Sequence, residues 1–393
     1  MINIKEKLLK LINEKKLFRT IIKKLYPYLK GFLIFVSLKK NKFLIISPEK
    51  NEFNEEDVDL SKRIFEFYRK MKLEQKNVNS LYKPSALWQN HIDNDFKYLK
   101  ECYENNNLNG FSFFLQNFGN WKNYLGIESQ HLIKKYNSNI FLKKFLSNEI
   151  FHGQKELWKF FNKNSNLKEV NMPRFGNQNG ALLNKNFFVI GSFFNHIYAD
   201  ILGKYLANNK RNFVVDIGGG YGKLAYYLLK KQNNCSFIDF DIPEVLILAA
   251  YYLSKSFPEK KVFLYGQENF DSNIMSNYDL IFLPGWEIEK LNENSIDLTI
   301  NKNSLGEMNP ETAGNFLKYI YKTSKYFFSL NHEYLRNNFD ENTFSLINKE
   351  FNVDNKFKEL IRYPDLSHLI YENNKIDLES DAFFYIYEKS KKN

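Results

Sequence analysis

The sequence predicts an α/β protein in which a mainly α-helical N-terminal region precedes a mostly parallel β-sheet. From about residue 211 to 387, short apolar segments alternate with helical patterns, which is typical of a parallel sheet covered by helices on both faces. From Leu60 to about Phe161, the apolar residues follow a helical period without strand alternation. A run of glycines joins the first strand of the alternating part to a helix.

At 393 residues, the chain fits one large or two moderate domains, and we expect two. Residues 1–45 form a basic arm, because they contain 12 Lys or Arg and two Glu. Residues 46–180 form the helical region, which begins with a linker or turn at 47–59 and ends in a loop at 172–180. Residues 181–393 form the alternating domain.

The individual elements follow from the apolar pattern. We predict strands at Phe213–Val215, Ser236–Phe240, Val262–Tyr265, Leu280–Leu283, Ile296–Ile300, Tyr326–Leu330 and Asp381–Tyr387. We predict helices at Phe187–Leu206, Val245–Ser256 and Glu311–Lys325, and one directly after the glycines.

Composition excludes several classes of protein. No apolar run approaches the roughly 18 residues of a membrane-spanning helix, and the cysteines Cys102 and Cys235 offer neither a disulfide framework nor a thiolate zinc site. A cytoplasmic location is the simple inference. The net charge of +11 could suggest nucleic acid, but ten of these charges lie in the basic arm and only seven of the 56 basic residues are Arg. Nucleic acid is therefore disfavoured as a partner.

The basic arm suggests a peripheral contact with an anionic membrane surface. Leu8, Leu9, Ile12, Leu17 and Ile21 recur at near-helical intervals among its lysines. The alternative is a solvated helix that packs on its own domain. The solvated helix is the favoured interpretation of the two. The predicted location is cytoplasmic, and peripheral binding to the inner membrane would follow only if the arm lies on the membrane surface.

The segment RNFVVDIGGGYGKLAYYLL, residues 211–229, has the order of a nucleotide-type cofactor site. A buried strand ends at Asp216, a turn follows, and a helix then directs its N-terminus at the ligand. The turn contains Gly218, Gly219, Gly220 and Gly222. Without Cβ atoms, these glycines let a ligand approach the backbone closely. Gly220, Gly222 and Ala225 also satisfy the dinucleotide pattern G-x-G-x-x-A, so a nicotinamide cofactor stays open at this point.

The order D-x-G-x-G-x-G resembles motif one of class I methyltransferases, which bind S-adenosylmethionine. That resemblance implies that Asp216 helps to hold the methionine end. A ribose also needs a carboxylate at the end of the second strand, where both Asp241 and its competitor Asp239 lie. The segment FDIPEV resembles the FDLP segment of small-molecule O-methyltransferases, in which the Asp matching Asp241 contacts the ribose. The alternative for Asp241 is a cap on the helix that starts after Pro243.

Residues 296–320 resemble the segment after strand four in a sugar O-methyltransferase family of bacterial surface-polysaccharide loci. The matching residues are Asp297, Leu298, Ile300, Asn301, Ser304, Glu307 and Met308, with Asn331 closing the next strand. The resemblance implies a Rossmann-like methyltransferase domain with an antiparallel last strand. It also implies methylation of a sugar, a nucleotide sugar or a glycan for capsule or lipopolysaccharide. Asn303 and Ser304 are assigned to the cofactor, as is Trp286 in the LPGW run, although Trp286 could instead be a core residue.

Methyl transfer to a sugar hydroxyl needs a base, or a divalent metal that lowers the hydroxyl pKa. His332, at the predicted end of a strand, is our first candidate base and Glu307 the second. Glu333 could orient the His332 ring or join it on a metal.

Arg174, in the loop between the two regions, could bind an anionic group of the acceptor, or could form a salt bridge to the helical region. His196 could face the acceptor or could be a core histidine. A nicotinamide-dependent oxidoreductase and a non-catalytic scaffold of a glycan assembly complex are the alternative functions. Asp216 ahead of the glycines disfavours the first, and an intact glycine turn with Asp241 disfavours the second.

Overall fold

The computed structural model describes residues 25, 26, 28–33, 36, 43–46, 53–121, 140–162, 166–339, 343–372, 375–378 and 381–390. Residues 1–24 of the predicted basic arm lie outside this set, as do residues 47–52 of the predicted linker. The predicted amphipathic pattern from Leu8 to Ile21 therefore stays a prediction. None of the helices among the described residues is both long and apolar enough to cross a bilayer.

The N-terminal region is mainly helical, as predicted. Its helices are α1 (Val58–Gln75), α2 (Ala86–Asn94), α3 (Lys97–Glu104), α4 (Leu108–Gln116), α5 (Ile140–Phe161) and α6 (Leu167–Val170). A small antiparallel sheet accompanies them and consists of β1 (Leu44–Ile46), β2 (Gly180–Leu183) and β3 (Asn186–Phe188). The apolar pattern did not predict these three short strands.

The following part alternates between strand and helix. Its helices are α7 (Ser192–Gly203), α8 (Lys223–Lys231), α9 (Pro243–Ser256) and α10 (Pro310–Thr323). Its strands are β4 (Asn212–Ile217), β5 (Cys235–Asp241), β6 (Val262–Leu264), β7 (Leu280–Pro284), β8 (Ile296–Lys302), β9 (Ser324–His332), β10 (Phe357–Pro364) and β13 (Ala382–Lys389), with a separate hairpin of β11 (Leu369–Glu372) and β12 (Lys375–Leu378).

The central sheet confirms the predicted fold class. Its order is β10-β13-β9-β8-β4-β5-β7-β6, and the six strands from β9 to β6 are parallel to one another. The last strand, β13, pairs antiparallel with β9, and β10 pairs antiparallel with β13. After β4 the chain builds outward through β5 and then returns to the other side of β4 as β8. This reversal between β4 and β8 is the position where open α/β sheets bind ligands.

One predicted helix, Phe187–Leu206, is wrong at its start. Residues Asn186–Phe188 form β3, and the helix begins only at Ser192. Gly191 separates the two elements with a left-handed φ of 81°, a conformation that a glycine adopts without strain. The run FFVIGSFF is apolar on both sides of Gly191, so periodicity alone did not reveal the break.

The sheet is packed on both faces. Val214, Phe237 and Leu298 point towards α7, α8 and α9 and towards the helical region, with which they form one large core. The alternating residues Val215 and Ile238 point to the opposite face, which α10 covers. The helical region therefore shares its core with one face of the sheet, and this arrangement brings its side chains to the carboxyl ends of the strands.

Buried ionic contacts join the helical region to α9. The Tyr68 hydroxyl and the Lys72 ammonium, both on α1, donate to Glu244 Oε1 at 3.1 and 2.7 Å. Lys255 on α9 pairs with Asp57 at 2.5 Å just before α1 begins. Glu244 is 1% exposed, so loss of its partners would leave a buried carboxylate without a counter-ion.

Candidate functional site

The glycine turn lies at the carboxyl end of β4, where three of its glycines line a cavity of about 780 Å³. Such a volume is typical of ligand pockets. Gly218 has a φ of 73°, and its amide donates to the Phe240 carbonyl at 2.8 Å. A Cβ on Gly218 would lie 2.3 Å from the Ser304 Cβ, so only glycine fits between β4 and the loop after β8. The turn is thus packed from behind while its open side faces the cavity.

Gly222 has a different role from the other glycines. It is not among the residues that line the cavity. Its φ is 89°, and a Cβ there would lie 2.9 Å from the Leu253 side chain on α9. The assignment of Gly222 to direct cofactor contact is therefore replaced by a packing role, because this glycine allows α8 to begin close against α9.

Three carboxyl groups share one face of the sheet beside the glycines. Asp216 is the register partner of Asp239, and Asp241 follows two residues later on the same face. Asp216 and Asp239 are 2% and 1% exposed, and Asp216 Oδ1 has no hydrogen-bond partner among the described residues. Asp241 lines the cavity, and its two oxygens accept from the amides of Ile242 at 2.7 Å and Gly220 at 3.3 Å.

Burial makes these acids hard to ionise. Removal from water raises the pKa of Asp216 from 3.8 to about 7, and the positive charge of Lys302 limits this rise. Burial likewise raises the pKa of Asp241 to about 8, although the two backbone amides oppose the shift. The pKa of Asp239 is raised well above its ordinary value by burial and by the charges of Asp241 and Asp216. A cationic ligand would favour the ionised forms and would suit this site.

Asn301 and Ser304 fix the loop after β8 to the end of β4. Asn301 Nδ2 and Ser304 Oγ both donate to the Ile217 carbonyl, at 2.9 and 2.6 Å. Asn301 Oδ1 accepts from Asn331 at 2.9 Å, which ties the loop to β9. Asn301 and Ser304 therefore hold neighbouring strand ends together. Ser304 also lines the cavity, as does Asn303, so their assignment to the cofactor stays a prediction.

Glu307 lies in the wall of the same cavity. Trp88 Nε1, from α2, donates to its Oε2 at 2.9 Å, and Ser85 Oγ donates to its carbonyl oxygen at 2.8 Å. Burial raises the pKa of Glu307 from 4.5 to about 7, while the Trp88 hydrogen bond opposes the shift. A carboxylate with this pKa can take up a proton near neutral pH.

His332, the other candidate base, also lines the cavity. Its Nδ1 is 2.9 Å from Asp381 Oδ2, and the side chain is 42% exposed. The expectation that Glu333 orients this ring is wrong, because Glu333 is fully buried and pairs with Arg362 at 2.7 Å. Asp381 takes that place. No group of three His, Cys, Asp or Glu side chains that could hold a metal ion occurs among the described residues.

Arg174 and His196, the predicted acceptor-binding residues, are not among the residues that line the cavity. Arg174 Nε donates to the Gln178 carbonyl at 3.0 Å, and its guanidinium lies over the Phe187 ring. His196 is fully buried, and its Nδ1 accepts from Trp158 Nε1 at 3.2 Å. The structure therefore places His196 in the core, which was the alternative for this residue.

Trp286 does line the cavity, on the side of β7. Its ring contacts Tyr265 edge to face, with the centroids 6.4 Å apart. It is only partly buried, and it packs against both apolar cores. The position suits a ligand ring as well as packing, so the adenine-side assignment stays a prediction.

Lys302, the helical region and α7 contribute cavity residues that the sequence did not identify. Lys302 is the last residue of β8 and lies on the same face as Asp216, because Asp216 pairs with Ile300 two residues earlier. Trp88, Gln154 and Asn195 reach the cavity from α2, α5 and α7. Lys302 lies two residues after Ile300, so strand alternation could have predicted that its side chain shares a face of the sheet with Asp216.

Comparisons with known proteins give only distant similarities. The mitomycin 7-O-methyltransferase MmcR is 11% identical, with a TM-score of 0.32, over 68% of this chain and 67% of that one. An O-methyltransferase family 2 protein from Planctomyces limnophilus, solved with apigenin, is 14% identical, with a TM-score of 0.34, over 51% of this chain and 57% of that one. Magnesium protoporphyrin IX methyltransferase from Synechocystis, solved with S-adenosylmethionine, is 12% identical, with a TM-score of 0.33, over 67% and 98%. No protein-family model and no curated protein sequence matches the chain. These values are too low to support an assignment of function.

Proposed function

We propose that this protein is an S-adenosylmethionine-dependent O-methyltransferase whose acceptor is a sugar. The observation that carries the proposal is the pair of carboxyl groups, Asp216 and Asp241, on either side of glycines that line a cavity at the β4–β8 reversal. Asp241 would accept hydrogen bonds from the ribose hydroxyls. Asp216 would face the ammonium group of the methionine end, and Lys302 would face its carboxylate.

The charge of the site favours this cofactor over a nicotinamide dinucleotide. A dinucleotide would bring its pyrophosphate, with two negative charges, to the glycine turn beside Asp216 and Asp241. The protein would then confine like charges in a site that already disfavours ionised carboxyls. S-adenosylmethionine instead carries a sulfonium and an ammonium group, both of which are cations.

Bound S-adenosylmethionine would supply an electrophilic methyl group. The protein must then hold the acceptor hydroxyl in line and take up its proton. We assign the role of general base to Glu307, because its pKa of about 7 lies near working pH and its carboxylate faces the cavity. Trp88 would hold the Glu307 carboxylate in place. His332, oriented by Asp381, is the competing base, and single substitutions separate the two.

The sugar acceptor is supported by the resemblance of residues 296–320 to sugar O-methyltransferases, and a surface glycan is the corresponding product. Polar side chains reach the cavity from the helical region and from α7, among them Gln154 and Asn195, and they could hydrogen-bond to sugar hydroxyls. A cytoplasmic location would suit such an acceptor before export.

Binding and transfer are tested separately. We expect S-adenosylhomocysteine, but not NAD, to raise the melting temperature of the wild-type protein. Calorimetry should detect no S-adenosylhomocysteine binding by Asp241→Ala and normal binding by Asp59→Ala, which removes an exposed carboxylate on α1. Stabilisation by NAD alone would overturn the proposal. Normal binding by Asp241→Ala would contradict the site assignment, because the competitor Asp239 is 1% exposed and does not line the cavity.

The acceptor is identified by incubation with methyl-labelled cofactor and a panel of nucleotide sugars, surface glycans and phenols, with label transfer read by mass spectrometry. Transfer to a sugar supports the full proposal. Transfer to phenols alone would correct the acceptor class and keep the cofactor. Cofactor binding without transfer to any member would favour the non-catalytic scaffold.

A further inference from the structure

The helical residues between 25 and 36 present an apolar face to solvent. Six large side chains there are between 46% and 59% exposed. They are Leu25, Tyr26, Leu29, Phe32, Leu33 and Val36. Leu29, Phe32 and Leu33 lie in the unbroken described run 28–33, and at about 100° per residue they fall within an arc of about 100°. Single exposed apolar residues are common on protein surfaces, but six large ones within twelve residues, here called the apolar stripe, mark an interaction site.

The opposite side of these residues packs on α5. Gly31 is buried, and a Cβ there would lie 2.1 Å from the Phe145 carbonyl oxygen. Lys30 Nζ is 3.4 Å from Glu149 Oε1. Phe32, which is 46% exposed and lies at the edge of the apolar stripe, also meets the Phe145 ring edge to face. The close approach at Gly31 fixes which side faces α5, so the apolar stripe faces outward as a consequence of packing.

The charge around the stripe identifies its partner. Between Glu14 and Glu49 the sequence contains nine Lys or Arg residues and no acidic residue. An apolar helix face flanked by lysines is the pattern of helices that lie in the interface of anionic membranes. A protein surface or a second copy of the chain would account for the apolar stripe but not for this one-sided charge.

We propose that the exposed apolar side chains of Leu25, Leu29, Phe32, Leu33 and Val36 dock on anionic lipid surfaces. The apolar side chains would enter the boundary between headgroups and acyl chains, while the lysines contact the headgroups. Lys30 and Glu149 also line the cavity described above. Docking would therefore place one wall of that cavity next to the membrane. This proposal does not depend on the reaction that the protein catalyses.

Co-sedimentation of the full chain with vesicles tests the proposal. We expect binding to vesicles that contain phosphatidylglycerol and much weaker binding to pure phosphatidylcholine. Leu29→Glu/Leu33→Glu should weaken binding at least about tenfold, because two buried apolar contacts are lost. The control Leu73→Glu/Leu360→Glu makes the same charge change at exposed leucines on α1 and β10. We expect this control to lose only the part of the binding that depends on net charge.

A labelling experiment measures insertion directly. Leu33→Cys can carry an environment-sensitive dye, because the native Cys102 and Cys235 are buried. We expect a blue shift of the dye with anionic vesicles. Absence of wild-type binding would overturn the proposal, as would equal binding by the two double variants with no blue shift. A concentration-dependent dimer that Leu29→Glu/Leu33→Glu abolishes, without vesicle binding, would assign the stripe to a second copy instead.

Discussion

Replacing Asp216 by Asn should stabilise the ligand-free protein and weaken its cofactor binding. Asn has nearly the shape of Asp but cannot carry the charge that burial disfavours. The pKa of Asp216 rises from 3.8 to about 7 on folding, which corresponds to roughly 4 kcal/mol of lost stability once the group is ionised in both states. The folded protein binds the proton more tightly, so this loss develops as the pH rises from about 4 to about 7.

The stability gained by Asp216→Asn therefore depends on pH. We expect a gain from Asp216→Asn of roughly 2 kcal/mol at pH 5 and roughly 4 kcal/mol at pH 8. For 393 residues, these gains correspond to about 2 °C and about 5 °C in melting temperature. Differential scanning fluorimetry at both pH values measures the difference. Asp59→Asn, at an exposed position on α1, should change little at either pH.

Asp216→Asn should lower the affinity for the cofactor although it raises the stability of the ligand-free protein. S-adenosylhomocysteine, which keeps the ammonium group, should stabilise Asp216→Asn less than the wild-type protein at pH 8. A gain in melting temperature that is the same at pH 5 and pH 8 would refute the assignment of a buried, ionisable Asp216. A loss at pH 8 would show that the carboxylate already has a compensating partner in the ligand-free protein.

Three further substitutions test other parts of the site. Glu307→Gln should lower kcat by about 10² to 10⁴ and remove a pH-dependent rise in kcat/KM centred near 7, with S-adenosylhomocysteine affinity unchanged; persistence of that rise would transfer the role to His332. Lys302→Ala should weaken S-adenosylhomocysteine binding about tenfold in calorimetry but leave 5′-methylthioadenosine, which lacks the amino acid end, unaffected. Equal losses for both ligands would contradict the position assigned to Lys302. Gly218→Ala should destabilise the protein by at least about 2 kcal/mol, because its Cβ would meet Ser304 at a left-handed φ. The control Gly314→Ala, in α10 with no atom within 4 Å of the added Cβ, should raise the melting temperature, and a similar change in both variants would count against the tight packing of the turn.

The sheet was predictable from the sequence because its strands are fully buried. Segments such as Phe213–Val215 and Leu280–Leu283 are continuous apolar runs bounded by polar residues or proline, and the structure has strands there. The short strands β1, β2 and β3 were missed because three or four residues cannot show a period. Unlike the equally short β6, they lie outside the alternation of strands and helices that identifies the sheet. The edge strand β10 was missed because its polar residues face solvent, so that little apolar pattern remains.

The candidate site was predictable where the backbone dictates it and less so where side chains from distant elements meet. Gly218, Asp216 and Asp241 lie at fixed places around a strand end, and the structure brings all three to the cavity. The contact of Trp88 with Glu307 joins residues 219 positions apart, which no local pattern reveals. The sequence suggested the neighbouring Glu333 as the partner of His332. In the structure, the pairing of β9 with β13 brings Asp381 to the His332 ring instead.

The contact of Lys72 and Tyr68 with Glu244 has a consequence for engineering and for evolution. Glu244 lies three residues beyond Asp241, in the first turn of α9. The helical region therefore supplies the partners of a carboxyl group near the strand end that would hold the ribose. For this reason the helical region is not an independent unit that can be removed. Production of residues 181–393 alone would remove both partners of Glu244 and would expose the apolar face that the helical region covers. An exchange of helical regions between related enzymes, made to change the acceptor, would have to preserve the partners of Glu244.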